Sequence, residues 1–307
     1  MKKWLIKILV FLFPLFVYGV AFEWYCYQRT FFAIKRNYAL HHLSDFKVAF
    51  TGTSHIEKGI YISDPENECL NWAAPGQSFP LEFQLWKKYI NQMPHLKVAF
   101  IELSPTRLYL APDADDWSAN LYWLHYRIPF QVNVFNPRHH THLFQDYSFF
   151  KNVVHSAWNP WKEKLGINEK GYAPEDFKDR FWECQFDTSV IRKSFVMKYD
   201  FKTSKKDLEW NRQYVDSIVE ILNSHNVKPV FLIPPFYDTF EDAIPPAVEM
   251  AFEKWMLDLK KKECTIWDYR KSSIWTVKDY YNDNHLNPDG AKKWYQALRD
   301  SVNRITH

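Results

Sequence analysis

No Cys-x-x-Cys spacing occurs in this chain. Its four cysteines stand at 26, 69, 184 and 264, so neither a zinc site nor a thioredoxin-like redox motif is indicated. Cys26 flanks a hydrophobic segment and the other three fall in the main body, a count that fits reduced thiols or a single bridge. An excess of charge of one sign is also missing. Lys and Arg number 39 against 36 Asp and Glu, a formal net charge of +3, which argues against a nucleic-acid-binding protein. There is no internal repeat and no low-complexity tract. Hydrophobic residues make up 47%, enough for a sizeable core and too many for a globally disordered chain. Glycine is scarce, at 7 of 307 residues, a length that suits one large domain or two modest ones. Aromatic residues are what the chain has in plenty: 19%, with 14 Trp. Two readings of them are open, packing in the core and at a membrane interface, or platforms on which sugar rings stack.

Residues 1–30 read as a membrane anchor. Lys2, Lys3 and Lys7 precede an uncharged run from Ile8 to Phe22, with Trp4 on one side and Trp24, Tyr25 and Tyr27 on the other. Basic residues mark the cytoplasmic end of a span, and aromatics favour both interfaces. The uncharged run alone is short of the ~20 residues a helix needs to cross. From Trp4 to Tyr27, with Lys7 snorkelling to the surface, the length suffices. No clear Ala-x-Ala cleavage site follows, so an uncleaved anchor is expected, with the bulk of the chain outside the cytoplasm.

Residues 31–45 read as a linker or short helix, and 46–307 as an α/β domain. Short apolar runs at Phe46–Thr51, Glu68–Ala73, Leu96–Leu103, Val227–Ile233 and Cys264–Trp267 suit strands, the longer ones buried on both faces of a parallel sheet. Helical spacing separates them over Leu81–Asn91, Lys206–Asn223 and Pro246–Lys262. A last helix starts at Asn287 or Pro288, with Trp294, Leu298 and Val302 on one face. Strand, turn, helix, strand in this order predicts right-handed parallel βαβ units. Between about 108 and 203 the pattern fades into a stretch too long for an ordinary loop, which reads as an inserted cap beside the site. Within it, Pro137-Arg138-His139-His140-Thr141-His142 lacks carboxylate or Cys partners at ligand spacing and reads as a polar loop rather than a metal site.

The first strand breaks abruptly at Gly52-Thr53-Ser54, where Gly52 allows a sharp turn. A serine at the carboxyl end of a buried strand stands where open α/β sheets bind ligands. Far downstream, His285 precedes the last helix. Serine is a weak nucleophile and needs a base within hydrogen-bond reach. The base in turn needs a group that fixes its tautomer and stabilises the imidazolium, and Asp283 lies two residues before it. Backbone N–H groups of Ser54 and Gly76 are candidates to hold an oxyanion.

These stretches resemble blocks of the SGNH (GDSL-type) hydrolases. Gly52-Thr53-Ser54 is similar to their first block, Gly-Asp-Ser, with Thr for Asp. Gly76, in Asn71-Trp72-Ala73-Ala74-Pro75-Gly76-Gln77-Ser78, is similar to the second-block glycine. Asp283-Asn284-His285-Leu286-Asn287-Pro288-Asp289-Gly290-Ala291 is similar to the last block. The resemblance covers roughly 44–107 and 204–304 and leaves out the insertion. With the anchor, the chain is most similar to the membrane-attached branch, which includes D-alanyl-lipoteichoic acid biosynthesis and alginate O-acetylation proteins. The resemblance implies a flavodoxin-like three-layer sandwich around a parallel sheet. It also implies a Ser54–His285–Asp283 triad that transfers or hydrolyses acyl esters on a cell-envelope glycan or glycolipid. The acyl source is open between a lipid-linked donor and a multi-span membrane acyltransferase, and no metal or organic cofactor is implied. Two positions depart from the family. Its aspartate stands three residues before the histidine, where this chain has Asn282. Its third-block oxyanion asparagine has no counterpart in Glu102-Leu103-Ser104-Pro105-Thr106, with Asn71 as a substitute from the second block. These departures favour a competing expectation, a non-catalytic polymer-binding or assembly protein with the same fold.

Overall fold

Five apolar runs pair into one all-parallel sheet. In the computed structural model, residues 2–63, 68–110, 117–129, 135–144, 151, 170–172, 181–194 and 203–306 are described. The chain begins with helices α1 (Lys2–Arg29) and α2 (Phe31–His41) and then enters the α/β region. Its order is β1 (Val48–Thr51), α3 (Ser54–Gly59), β2 (Cys69–Asn71), α4 (Phe79–Tyr89) and β3 (Val98–Glu102). Within the insertion lie α5 (Trp117–Tyr126), single 3-10 turns at Pro137–His139 and His142–Phe144, and α6 (Thr188–Ser194). Regular alternation resumes with α7 (Lys205–Ser224), β4 (Lys228–Ile233), α8 (Asp238–Ala243), α9 (Pro246–Lys261), β5 (Thr265–Asp268) and α10 (Pro288–Thr306). The strands lie in the order β2-β1-β3-β4-β5, one of the common orders of doubly wound sheets.

The order explains where the helices go. A right-handed crossover to the left of β1 and one to its right put their helices on opposite faces. Accordingly α3 and α10 share one face and α4 packs on α7 on the other. On the first face Ile56 and Ile60 of α3 meet Trp294 and Leu298 of α10 over Val48, Phe50, Val98, Phe100, Val230 and Leu232. Each of these large side chains contributes roughly 1.5–3 kcal/mol by leaving water. The expected α10 face is thus present in Trp294 and Leu298, while the Val302 side chain lies outside the described ones. Phe50 stacks on Phe100 across β1 and β3, with ring centroids 4.8 Å apart. Where β1 and β3 adjoin, chain connections leave in opposite directions. Their carboxyl ends therefore flank a crevice that neither connection covers.

The chain divides into two compact units, residues 1–37 with 113–164, and residues 38–112 with 165–307. In the first, α1 contains a segment, Ile6–Arg29, that is long and apolar enough to cross a membrane, with mean hydropathy 2.0. Near its end Glu23 accepts from the Leu143 N–H at 2.8 Å and pairs with His142 Nδ1 at 2.9 Å. The histidine-rich stretch at 137–142 thus sends His142 to a carboxylate of α1. In the second unit, the later part of the insertion packs on the sheet region: Phe181 sits edge-on to Tyr237, at 5.0 Å, and Ile191 is buried in the core. All four cysteines are free thiols.

Candidate active site

Ser54 and His285 meet, although 231 positions separate them. Ser54 Oγ lies 2.9 Å from His285 Nε2. Ser54 is the first residue of α3, a helix begun by Thr53, whose side chain accepts from the His55 N–H. The turn out of β1 depends on Gly52. Its φ of +150° lies where side chains are rarely tolerated, and a Cβ there would come within 2.5 Å of Glu102 Cβ. The bare backbone lets β3 deliver a carboxylate directly beneath the Ser54 turn.

His285 arrives on a tight hairpin. Tyr280 and Leu286 pair as an antiparallel bridge, and the Tyr281 N–H donates to the His285 carbonyl at 3.0 Å. Asn282 closes the loop from inside. Its Oδ1 accepts the N–H groups of Asn284 (3.1 Å) and His285 (2.8 Å) and also faces His285 Nδ1 at 3.3 Å. With Nδ1–H donating to that oxygen, Nε2 presents its lone pair to Ser54. The Nδ1 partner is therefore Asn282 and not Asp283, the residue named from spacing alone. Asp283 is buried, and its backbone carbonyl accepts from the Tyr237 N–H at 2.8 Å. Burial chiefly, and then the nearby His55 and Lys58, hold the His285 imidazole well below the ordinary 6.5, so it is neutral at neutral pH.

A second histidine, unnoticed in the sequence, has the carboxylate that His285 lacks. His55 Nδ1 lies 2.9 Å from Glu102 Oε1, and both side chains are buried. Glu102 also accepts from Thr53 Oγ1 (2.8 Å), the Thr53 N–H and Ser104 Oγ (2.7 Å). Burial by itself would raise this carboxyl. The charge of His55 and its hydrogen bond, with help from Arg107 and Ser104, outweigh burial and hold it at about 2. Beneath lies a further buried pair, Arg107 with Glu82 at 2.7 Å. Arg107 also donates to the carbonyls of Glu102 and Gln77, and Thr51 Oγ1 donates to Glu82. From His55 the network reaches back to the hairpin, where Asn284 Nδ2 approaches His55 Nε2 at 3.3 Å. The two rings, His55 and His285, have centroids 5.3 Å apart. The sequence signal for this network was the lone acidic residue in an otherwise apolar strand, Glu102.

The oxyanion candidates separate. No described residue accepts from the Ser54 or Gly76 N–H. Gly76 has φ +66° and sits in a turn closed by the Gln77 N–H on the Ala74 carbonyl. That turn hangs on Gly52: the Gly52 N–H donates to Gln77 Oε1 at 2.7 Å, and the Ala74 N–H to the Gly52 carbonyl at 3.0 Å. Asn71 is a correction. It is fully buried, and its Nδ2 caps the end of α3 by donating to the carbonyls of Ile56, Glu57 and Ile60. An amide so engaged is not available as an oxyanion donor. Ser54 and His285 are each only half-buried, so a ligand can reach them from the sheet edge.

The site is thus a serine and a neutral imidazole in bonding contact at the switch point of a parallel sheet, with two backbone donors nearby. In comparisons with protein-family models and with curated proteins, no family model and no curated protein matches this chain.

Proposed function

We propose that this chain is a serine-dependent esterase or O-acyltransferase of the SGNH type, anchored by α1 with its main domain outside the cytoplasm. Its substrates would be acyl esters on a cell-envelope glycan or glycolipid. The observation that carries this reading is the 2.9 Å contact between Ser54 Oγ and His285 Nε2 at the carboxyl end of β1. The geometry supports the following steps. Ser54 Oγ attacks the ester carbonyl while its proton passes to His285 Nε2. The carbonyl oxygen becomes an oxyanion, and the Ser54 and Gly76 N–H groups are its donors. Collapse breaks the bond to the alcohol, which leaves with the proton from His285, and the acyl group stays on Ser54. Water or an acceptor hydroxyl then attacks the acyl carbon as His285 takes its proton; the acyl–Oγ bond breaks, the acyl group leaves on the acceptor, and His285 returns the proton to Ser54 Oγ. Asn282 keeps the imidazole in the tautomer that these transfers need. An amide stabilises the imidazolium less than a carboxylate does, so the dyad is a modest catalyst. In the transfer version a multi-span membrane acyltransferase is the acyl source.

Treatment of the full chain with a fluorophosphonate probe, followed by peptide mass spectrometry, tests the reading. Labelling of Ser54 that disappears in His285→Ala is expected. A topology reporter fused after residue 45 should be active only outside the cytoplasm. Asn282 in the carboxylate position favours one competing reading, a polymer-binding protein without turnover. Absence of labelling over pH 5 to 9 would support it.

A further inference from the structure

A cavity of about 470 Å³ opens at the carboxyl ends of β4 and β5. Its size suits one or two small rings. Its walls are aromatic, with Phe236, Tyr237, Trp275 and Tyr280 lining it. Thr188, from the insertion, lines it as well. Two carboxylates, Asp238 and Glu241, also line it. Glu241 Oε1 is buried and takes no hydrogen bond from any described residue.

Two cations, Arg270 and Lys271, face these two carboxylates in the lining. Arg270 reaches the cavity but is already engaged by Asp268, Glu249 and Glu253 at 2.7–3.3 Å. Arg192 is drawn to Asp238, at 3.2 Å. Lys271 lines the cavity from an exposed position. The Tyr280 hydroxyl registers the balance: burial chiefly, with Asp279, Glu241 and Asp238 adding, pushes it above the ordinary tyrosine range.

The cavity adjoins the dyad through its walls. Phe236 packs edge-on against His55, with centroids 5.1 Å apart. Tyr237 donates to the carbonyl of Asp283, and Tyr280 pairs with Leu286 across the His285 hairpin. A molecule held in the cavity therefore lies beside the hairpin that carries the base.

We infer that this cavity is a subsite for an uncharged sugar residue of the glycan, next to the residue that carries the ester. The inference rests on the esterase or acyltransferase reading for its place in the reaction but not for its chemistry. A pyranose has an apolar C–H face and a rim of hydroxyls. Aromatic walls accept the first, and the carboxylates of Asp238 and Glu241 accept hydrogen bonds from the second. An anionic sugar meets Asp238 and Glu241 with both arginines already paired, so Lys271 is the cation left to hold it. The subsite thus selects neutral polysaccharide over uronate or polyol-phosphate polymers.

The test uses the full-length Ser54→Ala protein in nanodiscs, so that turnover plays no part. The probes are cellotetraose, maltotetraose, chitotetraose and, as the anionic counterpart, tetragalacturonate, read by saturation-transfer NMR and titration. At least one neutral probe should bind with Kd of about 1 mM. Adding Glu241→Ala should weaken it about tenfold, the value of one hydrogen bond to a charged acceptor. Trp275→Ala should weaken it similarly, and tetragalacturonate should bind at least about tenfold more weakly than the best neutral probe. Glu241 Oε1 takes no hydrogen bond from any described residue, so Glu241→Ala should leave the melting temperature in place even if Trp275→Ala does not. Equal binding of tetragalacturonate, unchanged affinity in a folded Glu241→Ala variant, or no binding of any neutral probe at 20 mM would each overturn the subsite. If Ser54 of the wild-type protein is labelled while no neutral probe binds, the subsite fails and the dyad stands. Neutral-probe binding without labelling keeps the subsite and removes the catalysis.

Discussion

Two histidines stand side by side at the mouth of the sheet, and they are equipped in opposite ways. His55, on the strand-end side, has a buried carboxylate at 2.9 Å and no serine. His285, on the hairpin side, has the serine at 2.9 Å and an amide, Asn282, behind it. The strand-end region is buried, ion-paired and bonded to three surrounding elements. The hairpin region is partly exposed and is held by the Asn282 side chain, its own backbone and bonds to Phe236 and Tyr237. One region is closed to solvent and the other is partly open to it. A carboxylate near two imidazoles need not partner the one that meets the serine; here Glu102 pairs with His55.

Alanine at each histidine should divide the two roles most sharply. His285→Ala is expected to lower turnover by roughly 10⁴-fold or more, as loss of a serine's base does, with little change in melting temperature. His55→Ala leaves a buried carboxylate oxygen of Glu102 short of a hydrogen bond and should cost roughly 1–3 kcal/mol of stability, read by denaturant titration. Equal loss of stability in the two variants would erase the distinction between the regions.

Glu102 also imposes a pH signature on folding. Its carboxyl falls from 4.5 to about 2 in the folded chain, so its contribution to stability is complete above pH 4.5. That contribution fades as the pH drops toward 2. Acid unfolding followed by circular dichroism should therefore lose a steep component in Glu102→Gln over that interval.

Asn282→Asp would give His285 a carboxylate of its own. The aspartate can accept the same two backbone N–H groups, so the hairpin should persist. Turnover should rise by about tenfold, and the acid limb of the rate profile should move to higher pH, since a carboxylate stabilises the imidazolium. A fall in turnover would mean that the amide is required at this position.

The remaining effects are smaller. In the wild-type chain the acid limb of kcat/KM should lie below pH 6.5, because the imidazole is held below that value and must be neutral to act as base. Lys58→Met removes one of the charges responsible and should move the limb upward by a fraction of a unit. Asp283→Asn should alter kcat by no more than about threefold, since the ring's Nδ1 faces Asn282. A loss of orders of magnitude would return Asp283 to the orienting role.

Much of the architecture was legible from local pattern. The runs around Phe50, Phe100 and Phe231 are apolar without interruption because strands in this sheet are buried on both faces. Helix Phe79–Tyr89 followed from its spacing and from Pro80, and the last helix from Asn287-Pro288. The short helix Asp238–Ala243 was missed, since six residues hold no full amphipathic period. Less of the insertion could be read. Part of it, around Phe181–Ser194, belongs with the sheet unit, and residues 113–164 belong with the N-terminal helix. Aromatic content without periodicity does not specify which neighbour a segment will pack against.

Ser54 and His285 could be paired from the chain alone for a physical reason. Parallel strands bring the loops after them to one edge, so a serine after the first strand and a histidine after the last share that edge whatever lies between. The partner of each imidazole was a different matter. Spacing pointed to Asp283, but hydrogen bonds from Tyr281 and Asn282 to the His285 carbonyl set the hairpin register and bring Asn282 Oδ1 to the ring. Glu102 reads as an isolated acid in a strand. It becomes the His55 partner because Gly52 lacks the Cβ that would collide with it and because Thr53, Ser104 and His55 supply its hydrogen bonds. Asn71 carries the right amide for an oxyanion donor, but the carbonyls ending α3 engage it. Strands and helices follow from the repeat of apolar residues along the chain. Which polar atoms meet depends on register, close approach and the desolvation of neighbours, and those arise only when distant segments are packed together.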